Sequence, residues 1–407
     1  MRSESRSCTV VYKMNASAVE REYPSLALVE SPYSFYERVR EQGGVYQVPG
    51  TNEYLVTRYE DAVDVLLHPE VFSSAVQQVL DRDGHFAGLH QDGDVHRSWR
   101  TLAVRPFSPE RMRIYEPKIR AIVDELIDAF IDRGHANFID EFATPLPIFV
   151  ICELFGLPRS DYEKLKWWAQ IDGMGRRYYS PERQAVERKR NAETSAYLTE
   201  LVQDRYANPG DDIISELIQA FVSRDGELDM RVLVGTATTF LLGGIVTSAH
   251  MLGSTMGVLL NHPTELERVT RDHSLVPGLV EESLRVESPV QWQPRVTVCD
   301  TEIDGVSIPA QSLVLVLLAS ANRDERTFAC PGQFQVDRPN ARKHVAFSMG
   351  RHLCIGAPLA RMEGVVGFSG LLSRLRNIRR VSDAQDTLVD NLTFRGLEQL
   401  EIEFEPM

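Results

Sequence analysis

The chain has 407 residues, 43% hydrophobic and 25% charged, a globular composition that excludes a disordered or fibrous protein. Its formal charge is −14, from 44 Lys+Arg against 58 Asp+Glu, which argues against nucleic acid or a membrane surface as a partner. Five scattered cysteines (Cys8, Cys152, Cys299, Cys330 and Cys354) with no Cys-x-x-Cys pair read as reduced thiols of a cytoplasmic protein, not a disulfide framework or structural zinc site.

In chain order, residues 1–17 are charged and lack the apolar core of a signal peptide. About residues 1–20 are expected to be a flexible tail. No repeat, low-complexity tract or Gly/Ser linker divides the rest, so residues 1–407 are expected to form one domain. Two strand-like runs flank Gly50, Thr51 and Asn52 and predict a β-hairpin. Helical patterns follow over 60–67, 111–133, 160–171 and 181–205. From Arg231 to Glu265 no Asp, Glu, Lys or Arg intervenes, which is long enough for a membrane span of ~20 residues. Its many threonines and serines, with His250, favour instead a long helix over 232–260 buried in a large core. A further helix over 276–286 stops ahead of Pro289. Short strands follow from Arg295, then a loop-rich stretch over 322–349 and a last helix over 357–375. The sum is a mainly α fold with small β-sheets.

The segment from Phe347 to Arg361 is the most informative. Cys354 lies between Gly350 and Gly356, with a helix expected just after it. Glycines let backbone N–H groups approach a sulfur closely, and a helix start directs its positive end at a thiolate. A metal-binding thiolate needs such an environment. Phe347, Gly350, His352, Cys354, Gly356 and Leu359-Ala360-Arg361, in this register, resemble the haem-binding loop of the cytochromes P450. The resemblance runs from about Pro32 to the end of the chain. It implies the triangular P450 fold, with Cys354 as the sulfur ligand of the iron of haem b (iron protoporphyrin IX) and Phe347 and Gly356 beside it. Such a thiolate pushes electron density onto iron and favours O–O cleavage.

Other motifs of that family recur in order. Glu282 and Arg285 match its Glu-x-x-Arg pair, and Arg338 the arginine that completes a buried cluster. His96 and Arg100, four apart on one helical face, with Arg295 and His352, stand where the family binds the haem propionates. In the long helix, Gly243, Gly244 and Thr247 match the oxygen-activating motif, with Gly244 and Thr247 as the catalytic positions. Val246, however, stands where an acid is usual, and His250 is the nearest titratable residue. Two accounts remain open: protons arrive through water, Thr247 or a substrate group, or the chemistry has moved to coupling, nitration or peroxide-driven oxidation.

The resemblance also implies a pocket capped by residues 73–90 and lined by Phe240, Gly243, Val290, Gln291, Trp292 and Phe394. Met174, Tyr178 and Tyr179 either face this pocket or pack helices. The expected activity is oxygenation of a small, mostly apolar organic substrate by dioxygen, in specialised metabolism. Electrons are expected from a separate ferredoxin and ferredoxin reductase, docked on Arg342, Lys343, Arg351 and Arg361. The rival of another class is a haem protein of this fold that recruits a carrier protein and performs no chemistry.

Overall fold

A computed structural model of the chain describes residue 23 and residues 27–77, 87–381 and 386–407. The expected N-terminal tail and the middle of the expected 73–90 cap lie outside these residues, as does the Met174 side chain.

The predicted hairpin forms with strands Val45–Gln47 and Glu53–Val56, turning through Gly50 at φ +72°. It continues into a five-stranded sheet. Glu53–Val56 pairs in parallel with Leu313–Val316, which pairs antiparallel with Gln293–Thr297, and that strand with Phe72–Ser73. A parallel partner so distant in sequence ties the N-terminal sheet to the chain's last third.

The helices form where capping chemistry permits. Ser108 and Ser180 accept from the N–H groups of Arg111 and Arg183, each followed by a proline in the first turn. Asp229 caps Met230–Asn261, the longest helix at 32 residues. That helix is long and apolar enough to cross a membrane, but 56% of its most apolar window is buried inside the fold. It packs on Pro145–Phe155, Pro181–Ala207, Val276–Val286 and the last helix, Ala357–Arg374. Thr236, Thr238, Thr239, Thr247 and Thr255 each return their hydroxyl proton to the carbonyl four residues back, which satisfies them within the helix.

Beneath this core the Glu282 carboxylate, 0% exposed, takes Nε and Nη2 of Arg285 at 2.8 Å each and Nε of Arg338 at 2.8 Å. The remaining guanidinium N–H groups reach the carbonyls of Asn322, Ala329, Cys330, Pro331 and Gln333. The cluster fixes the loops that lead to Cys354: Asn322, adjoining it, accepts from the N–H of Val345 at 2.7 Å. Among the described cysteines, Cys152, Cys299 and Cys354 are free thiols, whereas Cys330 is disulfide-bonded. The expectation of uniformly reduced thiols is corrected there.

Candidate functional site

The Cys354 loop is closed by its own backbone, the N–H of Cys354 donating to the carbonyl of Phe347 at 2.8 Å. Gly350 sits at φ +65°, and a Cβ there would lie 3.1 Å from the carbonyl oxygen of Leu66. Only glycine suits that position. Ser348 adopts φ +62° without being glycine, and its buried hydroxyl has no hydrogen-bond partner. The loop therefore stores backbone strain.

Helix Ala357–Arg374 starts three residues after Cys354. Cys354 is exposed as a residue, yet the surrounding protein mass raises its thiol pKa above the ordinary value. Opposing this are the N–H of Gly356, the charge of Arg100, the N–H of Ala357 and the charge of Arg361. Arg361 is held in turn by Glu281, Nε to Oε1 at 2.6 Å, and lies 4.5 Å over the Phe347 ring. His344 completes this support, its Nε2 3.0 Å from Glu281. Neither Glu281 nor His344 is distinguishable in the sequence from an ordinary charged surface pair.

The four groups expected to act together converge. His96, on helix Gly93–Ala103, stacks on His352 of the cysteine loop with ring centroids 4.2 Å apart. Burial, with the neighbouring charges of His352 and Arg100, pushes His96 down to about 4. Arg100, from the same helix, donates to the carbonyl of Leu353, one residue from Cys354. Arg295 is 3% exposed, and its Nη1 donates to the Pro294 carbonyl at 2.8 Å. Its Nη2 is buried without a partner, and burial lowers its pKa to about 10. Asp92, which the sequence reading missed, sits among these cations. Burial would raise its pKa, but bonds from His352 (2.9 Å), Ser73 Oγ (2.6 Å) and the Ser74 N–H (2.7 Å) hold it at about 2.

On the long helix, the accessible positions around the middle turn are Gly243, Gly244, Thr247, Ala249 and His250, while Val246 is buried. Thr247 Oγ1 donates to the Gly243 carbonyl at 2.7 Å. A Cβ on Gly244 would lie 2.9 Å from Ile151 Cδ1, so glycine lets helix Pro145–Phe155 pack close. Phe240 lies one turn before this stretch, edge-on to Phe107 at 5.1 Å.

Val290 and Phe394 form a β-bridge that brings the C-terminal turn beside these elements, and His250 lies 6.4 Å from the Phe394 ring. Gln291 and Trp292 are turned into packing. Trp292 is 1% exposed and donates to the Leu392 carbonyl, and Gln291 donates to Ser288. They shape the wall by holding the turn rather than by presenting free polar atoms. Tyr178 and Tyr179 pack too, the first donating to Glu53 and the second accepting from the N–H of Leu392.

The donor set suits a thiolate-ligated haem. It offers one soft sulfur surrounded by N–H donors and cations, and it gathers four groups able to meet two carboxylates. The buried, unpaired Nη2 of Arg295 is the specific sign, because an anion beside it would remove a costly orphan.

The family profile "Cytochrome P450" matches residues 25–391. The chain is 34% identical to cytochrome P450 107B1 of Saccharopolyspora erythraea, over 92% of this chain and 96% of that protein. It is 32% identical to 6-deoxyerythronolide B hydroxylase of the same organism, over 91% and 95%. Among solved structures, cytochrome P450 CYP109Q5 from Chondromyces apiculatus superposes with a TM-score of 0.84 at 32% identity, covering 94% of this chain and 97% of that one. The chain belongs to the cytochrome P450 family and is a haem-dependent monooxygenase.

Proposed function

We propose that residues 1–407 form a single cytoplasmic haem domain in which Cys354 ligates the iron of haem b. In this reading Phe347 and Gly356 flank the ligand, and His96, Arg100, Arg295 and His352 bind the propionates. The observation that carries it is the buried, unpaired guanidinium nitrogen of Arg295, which feels the charge of the same Asp92 that holds His352 of the cysteine loop. The haem, when bound, supplies activation of dioxygen. The chain's residues supply the rest. Gly243 keeps the oxygen side of the long helix open, Gly244 lets helix Pro145–Phe155 pack close to it, and Thr247 holds a hydroxyl there. Phe240, Val290 and Phe394 give the substrate an apolar surround, which excludes bulk water and selects a small, mostly apolar organic molecule. The named relatives favour a place in specialised metabolism.

Electrons would come from a separate ferredoxin and its reductase. Next to the cysteine loop lies an open groove of about 670 Å³ lined by Arg326, Arg342, Lys343 and Arg361, with Glu60 as its one acid. Such a basic recess favours an acidic partner. Arg351 is exposed on the same loop but does not line the groove.

The test is reconstitution with a surrogate ferredoxin and reductase, after substrates have been chosen by the Soret shift they cause. Product dependent on both redox proteins and on dioxygen is expected. Turnover with hydrogen peroxide alone, and none with the redox proteins, would contradict this reading.

A further inference from the structure

The long helix Met230–Asn261 satisfies most of its polar side chains from its own backbone. Each of its threonines donates to the carbonyl four residues back. His262, just past its end, meets the Val258 carbonyl through Nδ1 at 2.8 Å. His250 does not follow them. No described residue hydrogen-bonds to its ring, whose neighbour is the apolar ring of Phe394.

Its place on the helix is that of the open stripe. Gly243, Thr247 and His250 are spaced four and three apart, so they share a face. All three are at least partly accessible, whereas Val246, Met251 and Leu252 are buried. A Cβ on Gly243 would meet nothing within 4 Å, so the stripe borders open space. His250 stands about 4.5 Å of helix rise beyond Thr247. A molecule held there by one end therefore lays the rest of itself beside Thr247.

The turn opposite is shaped to this ring. A Cβ on Gly396 would lie 2.1 Å from Nδ1 and 2.5 Å from Cγ of His250, so a side chain at 396 would overlap the imidazole. The turn is also anchored. Arg395, between Phe394 and Gly396, donates from its backbone N–H to the Pro289 carbonyl at 2.8 Å and from Nη1 to the Val29 carbonyl at 2.6 Å. Its Nε reaches Glu287 at 2.8 Å, and Arg323 holds the same carboxylate at 2.8 Å. With Nδ1 against the turn, Nε2 is the nitrogen that can meet a ligand. Enclosure by the core drives His250 down to about 4, so at pH 7 it is uncharged, with one donor and one acceptor. An uncharged imidazole in an apolar surround offers an ion no counter-charge, which favours a neutral polar group.

We infer that His250 is a specificity-determining residue, whose Nε2 hydrogen-bonds a neutral oxygen, a ketone or hydroxyl, on an otherwise apolar substrate. Gly396, on the turn anchored by Arg395, seats the imidazole. The substrate class is an apolar skeleton with such an oxygen at the end away from the carbon that is oxidised. That oxidation rests on the monooxygenase reading above; the binding does not.

The experiment uses the haem-loaded protein with cyclododecanone and cyclododecane, two probes of similar shape. It compares wild type with His250→Gln, which keeps an amide near the place of Nε2, and His250→Phe, which keeps a ring. Equilibrium dialysis gives the preference for ketone over hydrocarbon. His250→Phe is expected to lower that preference about fivefold, as the loss of one neutral hydrogen bond does, and His250→Gln to keep most of it. The infrared carbonyl stretch of the bound ketone should lie lower in wild type and His250→Gln than in His250→Phe. In wild type it should also lie below that of the ketone in an alkane solvent, a shift that repacking alone does not give. An unchanged preference, an unshifted stretch, or no binding of the ketone to wild type overturns the proposal. A ketone that binds in this way and is not turned over would strike the monooxygenase reading alone.

Discussion

Glu282 and Arg285 stand three residues apart on one helix and meet through two parallel N–H···O contacts of 2.8 Å, both side chains at 0% exposure. A buried pair of this kind does not add stability by charge alone. Its importance is that neither partner can be removed singly.

Glu282→Ala therefore leaves Arg285 and Arg338 buried without their carboxylate, at a cost of about 3–5 kcal/mol. The expected result is a poorly folded, haem-depleted protein, measured by denaturant unfolding and haem absorbance. A variant with normal stability and haem content would show that the cluster does not hold the haem loop.

Arg295 makes the opposite forecast for the haem-free protein. Its guanidinium is buried with one nitrogen unpaired, so Arg295→Met should leave the haem-free form at least as stable as wild type. Haem should leave the variant faster by about tenfold or more, since a bond to a charged group contributes about 1.5–3 kcal/mol. Transfer of haem to an apo-globin acceptor measures this. An unchanged transfer rate would remove Arg295 from the propionate set.

Ser348 holds a left-handed conformation and a buried, unpartnered hydroxyl in the cysteine loop. Ser348→Gly should stabilise the protein by about 1 kcal/mol, since a residue with a Cβ loses about that much there. The denaturation midpoint is the measurement, and a lower midpoint would contradict the strain argument.

Much of the site was legible because its spacing is local. Glu282 with Arg285 and His96 with Arg100 are helix-face pairs, and the glycines around Cys354 mark a loop that must approach a sulfur. Asp92 was not legible, because nothing in its neighbours separates a buried acid from a solvated one. Its setting is decided by a partner 260 residues away, at His352. Trp292 failed for the same reason: its indole is claimed by Leu392, 100 residues on. The three-stranded sheet of His135–Asn137, Glu401–Pro406 and Leu375–Arg380 also escaped, since its first strand has only three residues and its partners come from the far end of the chain.

For Thr247→Ala, the expected outcome is less product per electron donor consumed and more peroxide released. Its hydroxyl, now bonded to Gly243, would no longer order the oxygen-side proton path. Val246→Asp should not raise coupling above wild type, because the position is buried and a new carboxylate there carries a desolvation cost. Unchanged coupling in Thr247→Ala would point to chemistry that does not need this path.

The central claim, that Cys354 is the iron ligand, is tested most directly by the spectrum of the reduced carbonyl complex of Cys354→Ala. Wild type is expected to show the long-wavelength Soret band of a thiolate-ligated haem, with Cys152→Ala and Cys299→Ala retaining it and Cys354→Ala losing it. Retention of that band in Cys354→Ala would contradict the account.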